Sequence, residues 1–208
     1  MTARWARVLA TLGPAALASS LCACDSSGNS GSSPVAFVSA EPVNYDYALP
    51  DFQMVDQQGN KVTRADLTGK VLVVDFFFTT CPTICPRLTT RMAVLGKELT
   101  SDTEVRLVSI TVDPENDTPE KLAAYRAKYG AKPDQWVFLT GEPDHVRDTV
   151  LKGFKMAVRR VSDANIDHAE KFVLVDKQMH VRGVFDTDDA SLAALAKQAR
   201  ELAAIKAR

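Results

Sequence analysis

The 208-residue chain is poor in cysteine. It has four, Cys22, Cys24, Cys81 and Cys85, too few and too clustered to staple a small domain with disulfides. Histidine is scarcer still, so any imidazole metal site must draw on His145, His168 or His180. No lysine/arginine cluster stands out and the net charge is −1, which argues against nucleic acid as the main partner. There is no apolar run of the about 20 residues that a membrane-spanning helix requires. No internal repeat is visible, and no proline follows Pro143. What remains is ordinary: 46% hydrophobic and 25% charged residues, the proportions of a soluble globular protein, in a length that fits one domain plus extras.

The extras lie at the N-terminus. Arg4 and Arg7 precede a short apolar stretch, 8–21, broken by Gly13 and Pro14. This is the pattern of an export signal rather than a spanning helix. The sequence Leu21-Cys22-Ala23-Cys24 resembles a bacterial lipobox, with Cys24 as the acylated first residue of the mature chain. Cleavage there removes residues 1–23 with both arginines and takes the net charge from −1 to −3. Residues 24–42 contain the run DSSGNSGSS, which cannot bury a core and is expected to act as a flexible tether. The expected location is therefore the bacterial cell envelope, lipid-anchored at Cys24 and facing the oxidising extracytoplasmic side.

Residues 43–208 read as the folded domain. Segments 52–56 and 61–63 flank Gln57-Gln58-Gly59-Asn60, a hairpin turn. The run 71–78 (VLVVDFFF) is nearly all apolar and predicts a central strand covered on both faces, as does 105–112 (VRLVSITV). Shorter strands are expected at 136–139, 172–175 and 180–185. Between them lie helices: 83–99; a second opened by Thr118-Pro119 and ended by Gly130; a third from Pro143 to Gly153; and a last one from about Ser191. The alternation predicts an α/β domain with a mainly parallel sheet.

Cys81 falls three residues beyond the first central strand, at the mouth of the following helix. Ligands bind at the carboxyl ends of strands in open α/β sheets, and a thiol at a helix N-terminus feels the positive end of the dipole, which lowers its pKa. Cys85 follows four residues later, a spacing that places both thiols on one helical face. Two such thiolates can chelate a soft ion such as Cu(I) or close into a disulfide, and spacing alone does not separate the two. A purely structural disulfide is disfavoured, because a four-residue loop restrains the unfolded chain little. Thioredoxin-like redox motifs have two intervening residues rather than three. His168, in Ile166-Asp167-His168-Ala169-Glu170, precedes the expected strand 172–175 on a loop able to face the Cys81 helix. His145 and His180 belong to no ligand pattern. Thioredoxin-fold oxidoreductases resemble one another in a cis-proline before the strand that faces their cysteines, and its absence here leaves room for a ligand.

Together these residues resemble the SCO/SenC family of copper-binding proteins, which take part in cytochrome c oxidase assembly. The resemblance rests on 73–86 (VVDFFFTTCPTICP), 109–119 (SITVDPENDTP) and the Asp167-His168 step followed by FVLVD. It implies a thioredoxin-like α/β fold, a central mixed sheet flanked by helices. It also implies Cys81, Cys85 and His168 as ligands of one copper ion, Cu(I) or Cu(II), with Cys81 and Cys85 also forming a redox pair. Asp113 and Asp167 are candidate outer groups that orient the site or tune its charge. The implied partners are the copper-centre subunit of the oxidase and other periplasmic copper chaperones or thioredoxin-like reductases, with membrane contact through the lipid alone. The rival activity is an extracytoplasmic thiol–disulfide oxidoreductase using Cys81 and Cys85. A peroxidase of the Thr-x-x-Cys type is disfavoured, because Phe78 holds the position three before Cys81.

Overall fold

The computed structural model describes residues 45–162 and 165–206, so the expected signal, Cys24 and the tether lie outside the described residues. In chain order the elements are β1 (Tyr47–Ala48), β2 (Gln53–Asp56), β3 (Lys61–Thr63), α1 (Arg64–Leu67), β4 (Val71–Phe77), α2 (Ile84–Glu98), β5 (Val105–Thr111), α3 (Pro119–Lys128), β6 (Trp136–Thr140), α4 (Pro143–Asp148), a π-helical turn (Thr149–Gly153), β7 (Val158–Ser162), β8 (Asn165–His168), β9 (Phe172–Val175), β10 (His180–Phe185) and α5 (Asp189–Ala204). Eight strands form one sheet in the order β1-β10-β9-β4-β5-β6-β2-β3, and β7 and β8 form a separate two-stranded ribbon.

Strand β4 is the axis of the sheet, and all seven of its residues are buried. Its side chains alternate between two cores, as strand geometry demands. Val71, Val73 and Phe77 enter a cluster with Leu88 and Met92 of α2, Leu122 of α3 and Leu195 of α5. Leu72, Val74 and Phe76 enter the opposite cluster with Leu67, Val146, Val150 and Phe154. A continuous apolar run is what a strand packed on both faces needs. Helices α2 and α3 are the crossovers from β4 to β5 and from β5 to β6. Both crossovers step the same way along the sheet, so one handedness puts both helices on one face.

The sheet is mixed rather than mainly parallel. Only β4, β5 and β6 run parallel; the other neighbours are antiparallel. The reason lies in the connections. The turns 57–60 and 176–179 are too short for a crossover and can only make hairpins. Each is built around an aspartate whose carboxylate accepts backbone N–H groups ahead of it: Asp56 from Gln58 and Asn60, Asp176 from Gln178 and His180. Gly59 takes the left-handed conformation that the first turn requires, at φ +85°. The expected third helix is α4 with its π-helical continuation. The short α1 and the β7–β8 ribbon lie outside the sequence expectation, being too brief to show periodicity.

One carboxyl group sits in the middle of this largely apolar sheet. Asp75, on β4, is fully buried on the face that carries α2. Ser109, its register partner on β5, donates to Asp75 Oδ1 at 2.5 Å, and Trp136 Nε1 of β6 donates to Ser109 Oγ at 2.8 Å. Asp75 Oδ2 has no partner. Burial pushes the Asp75 carboxyl up to about 7, with the Ser109 hydrogen bond only partly opposing it. The fold therefore favours the protonated acid. Below about pH 4 the group is neutral in both folded and unfolded chains. As pH rises toward 7 the unfolded chain ionises first and the fold loses stability, a loss complete above pH 7. Asp75→Asn is thus expected to stabilise the protein at pH 8 by on the order of a few kcal/mol and to gain little at pH 4. Urea unfolding of the reduced protein at both pH values checks this, and an equal effect at the two contradicts it.

Candidate metal centre

The site is built where β4 ends. The chain leaves the sheet at Phe77, passes Phe78, Thr79 and Thr80, and reaches Cys81 before helix α2 begins at Ile84. Cys81 is therefore not on the helix, as the four-residue spacing suggested, but immediately in front of it. Thr83, at the N-cap position, makes no side-chain cap. The Cys81 sulfur takes that place, accepting the Cys85 N–H at 3.3 Å, with the N–H groups of Thr83 and Ile84 also acting to favour its thiolate. Pro82 and Pro86 have no N–H to offer. The three donors left between them all lie at the positive end of a helix beside one sulfur, and each favours its thiolate.

This arrangement divides the two thiols. Burial pushes the Cys81 thiol up, but the N–H groups of Cys85, Thr83 and Ile84 and the Cys85 thiol together outweigh it and hold Cys81 below the ordinary thiol range. Cys81 is also half-exposed. Cys85, in the first turn of α2, is 0% exposed. Burial pushes its thiol far up, and the hydrogen bond to Cys81 and the negative charges of Cys81 and Asp75 add to this, against a single favourable backbone contact from Phe78. Both thiols are free.

His168 reaches the pair from the ribbon. It is the last residue of β8, not a loop residue as expected, and it stands opposite Val158 of β7. Its Nε2 lies 3.6 Å from Cys85 Sγ, its Nδ1 3.4 Å from the Ala169 carbonyl, and its ring packs edge-on against Phe78. Burial lowers the imidazole pKa, and the Ala169 carbonyl and the charges of Glu170 and Asp167 only partly restore it. The ring is therefore neutral near pH 7, the form that binds metals. With Nδ1–H assigned to the carbonyl, the Nε2 lone pair faces the Cys85 sulfur. An open cleft lined by Cys81, Pro82, Thr83, Ile84, Ile166, Asp167, His168 and Glu170 leads to the site.

The donor set suits a soft ion: two sulfurs favour Cu(I), and an imidazole adds a nitrogen that Cu(II) accepts. A thiolate and an imidazole on one tetrahedral first-row ion, at about 2.3 and 2.0 Å, stand about 3.5 Å apart, close to the Cys85–His168 separation. The third donor is not yet in place. Among the described residues, no three His, Cys, Asp or Glu side chains are gathered closely enough to hold an ion as they stand.

The other candidates stand back from the donors. Asp167 is exposed and pairs with Arg159 across the ribbon at 3.3 Å. Asp113, 1% exposed, accepts from Asn116 Nδ2 at 3.1 and 3.0 Å and from the Arg160 guanidinium of β7. His145 is exposed on α4, and His180 pairs with Asp46 at 2.8 Å. Asp117, beside the Thr118-Pro119 helix start, is not singled out by the sequence. Thr118 does cap α3, but Asp117 is buried beneath the cysteine loop. It accepts from Thr79 N at 3.0 Å, Thr79 Oγ1 at 2.5 Å and Thr111 Oγ1 at 2.5 Å. Burial raises the Asp117 pKa despite these bonds. No local pattern distinguishes a capping aspartate from a buried one.

The SCO1/SenC family model matches residues 42–204. The chain belongs to the SCO1/SenC family. Its relatives include the SCO1 protein homolog of Bacillus subtilis, 38% identical over 138 residues, 65% of this chain and 70% of that protein. A putative copper-binding protein of Stutzerimonas stutzeri is 30% identical over 141 residues, 65% of this chain and 68% of the relative. Among solved structures, a SCO1/SenC family lipoprotein of Bacillus anthracis superposes with a TM-score of 0.71 at 30% identity, covering 79% of this chain and 98% of the other. BsSco, described as carrying a disulfide switch and as a member of the Sco family of cytochrome c oxidase assembly proteins, superposes at 0.70 and 32% identity, covering 80% and 98%. The SCO1/SenC fold is thioredoxin-like, and the mixed sheet flanked by helices seen here is that fold.

The asymmetry of the two thiols has a direct readout. In the reduced protein, iodoacetamide is expected to label Cys81 first, with a rate–pH midpoint below that of an ordinary cysteine, while Cys85 stays unlabelled until the chain unfolds. Peptide mapping by mass spectrometry measures both, and equal labelling at neutral pH contradicts the assignment.

Proposed function

We propose that the domain binds one copper ion through Cys81, Cys85 and His168 and supplies it to the copper centre of cytochrome c oxidase. The observation that carries this reading is the 3.6 Å approach of His168 Nε2 to a cysteine sulfur 83 residues away in sequence. The names of the relatives, a copper-binding protein and an oxidase assembly protein, support it. The residues divide the work. Cys81 meets the incoming ion first, because its sulfur is half-exposed and its thiolate is held by three N–H groups. Cys85 gives up its proton to bind, which its buried setting otherwise resists, so binding releases protons and strengthens with pH. His168 supplies a neutral nitrogen. The set closes when the Cys81 sulfur turns toward the other two.

A second activity is favoured by the same asymmetry. A low-pKa exposed thiol paired with a high-pKa buried one is the arrangement of a dithiol reductant. The Cys81 thiolate attacks a partner disulfide and forms a mixed disulfide, releasing one partner sulfur as a thiolate. Cys85 then loses its proton and attacks Cys81, releasing the second partner thiolate. Two electrons pass to the partner, and Cys81–Cys85 becomes a disulfide that can no longer ligate through thiolates. In the cell we place the domain outside the cytoplasmic membrane, held by lipid on Cys24 and a tether over 24–42. The sequence Leu21-Cys22-Ala23-Cys24 and the lipoprotein relative support this.

Copper titration of the reduced protein, followed by absorption and spin resonance, tests the site. One ion per chain is expected, with sulfur and nitrogen ligation. Cys81→Ser or Cys85→Ser is expected to remove most of the affinity for both oxidation states, and unchanged binding refutes the site. His168→Ala is expected to weaken Cu(II) by about 10-fold or more and Cu(I) much less, since both sulfurs persist. An equal effect on the two states contradicts the role given to the imidazole.

A further inference from the structure

The ribbon that carries His168 is a two-stranded sheet separate from the main one. Two strands alone are marginally stable in water, so contacts elsewhere must fix where its end points. Ile166 is 4% exposed and enters the core with the cysteines. Its cross-strand partner on β7 is Arg160; Ile166 is two residues along β8 from His168, so all three lie on one face of the ribbon. The Arg160 guanidinium pairs with Asp113, a carboxylate buried at 1% exposure in the loop after β5, and reaches Glu115 at 3.5 Å.

That loop also holds the cysteines. Asp117 is 0% exposed and accepts both the N–H and the hydroxyl of Thr79, two residues before Cys81. The two aspartates are joined through a closed turn. The Asn116 and Asp117 N–H groups both donate to the Asp113 carbonyl, at 3.0 and 2.9 Å. Thr111, the last residue of β5, receives the Asp113 N–H at 3.0 Å while donating to Asp117. A continuous polar path thus runs from Thr79 through Asp117, the turn and Asp113 to Arg160. Its two ends lie beside the two halves of the donor set.

We propose that the 113–117 turn is the gauge of the site: Asp117 positions the cysteine loop, and Asp113, through Arg160, positions the ribbon so that His168 meets Cys85. This rests on the copper-site reading above and assigns positioning roles to Asp117 and Arg160. The two arms act on different donors. Loosening Arg160 frees the imidazole and leaves the sulfurs in place. Loosening Asp117 shifts Thr79 and with it the sulfurs.

The test uses the reduced full chain with copper ions alone as the probe. Arg160→Gln is expected to lower Cu(II) affinity about 10-fold and to weaken the imidazole-nitrogen hyperfine signal, while Cu(I) affinity changes less than threefold. Arg160→Lys, which keeps the charge, is expected to recover part of the loss. Asp117→Asn is expected to weaken Cu(I) and Cu(II) alike and to change the Cys81 alkylation rate. The decisive measurement is the cycle with His168→Ala. In that background Arg160→Gln is expected to have no further effect on Cu(II). Full additivity overturns the proposal, because general destabilisation adds in either background. Wild-type affinity and hyperfine signal in Arg160→Gln also overturn it. Failure of the underlying reading looks different: the wild-type protein itself then shows no imidazole nitrogen on Cu(II).

Discussion

Everything at this site depends on one sulfur capping the start of a helix. Strand β4 ends, the chain turns, and the first donors of α2 lack the usual side-chain cap. The Cys85 N–H donates to the Cys81 sulfur instead, and those of Thr83 and Ile84 add to the stabilisation of its thiolate. The interaction ends the strand-to-helix turn, favours the thiolate, and sets Cys85 one step inside the protein. Flanking prolines sharpen it by removing the adjacent donors that water or another acceptor would otherwise claim.

The apolar surroundings raise the stakes of every polar group near this junction. Asp75, Asp113 and Asp117 are each buried and each solve the problem differently. Asp75 is kept toward its protonated form, with Ser109 serving one oxygen and nothing serving the other. Asp117 accepts three hydrogen bonds. Asp113 has a guanidinium as well as an amide. An uncompensated carboxylate costs several kcal/mol in such a setting, so these partners must be in place for the fold to form around the site. Burial, with the hydrogen bond to Cys81 adding to it, holds the neighbouring Cys85 in its protonated form.

In the function proposed above, the division between an accessible, acidic thiol and a buried, reluctant one serves both metal binding and disulfide exchange. An incoming ion or disulfide meets Cys81 first in each case, and Cys85 completes the event. His168 separates the two chemistries. Thiol exchange needs no imidazole, whereas a third donor turns a dithiol into a metal site. Because the ring is neutral and half-buried, in the proposed site it would add a ligand without adding a positive charge that would oppose copper.

Much of this was legible in the chain itself. The apolar run at 71–78, the turn aspartates, the Thr118-Pro119 start of α3 and the CPTICP motif all act over a few residues, and each appears nearly where local patterning put it. The short ribbon was not legible, because four- and five-residue strands carry too little periodicity to be told from a loop. Nor were the antiparallel pairings of β1 with β10, β2 with β6 and β4 with β9, which join distant segments, unlike the short hairpins. The sequence by itself determined that two thiols stand at a strand–helix junction, since covalent spacing and prolines suffice for that. Only the tertiary structure decided that one thiol is buried and the other half-exposed, that His168 meets the buried one, that Asp113 pairs with Arg160 of the ribbon, and that Asp117 binds Thr79 of the cysteine loop. Burial, pKa and contact across 83 residues are properties of the packed core, which no local stretch of chain encodes.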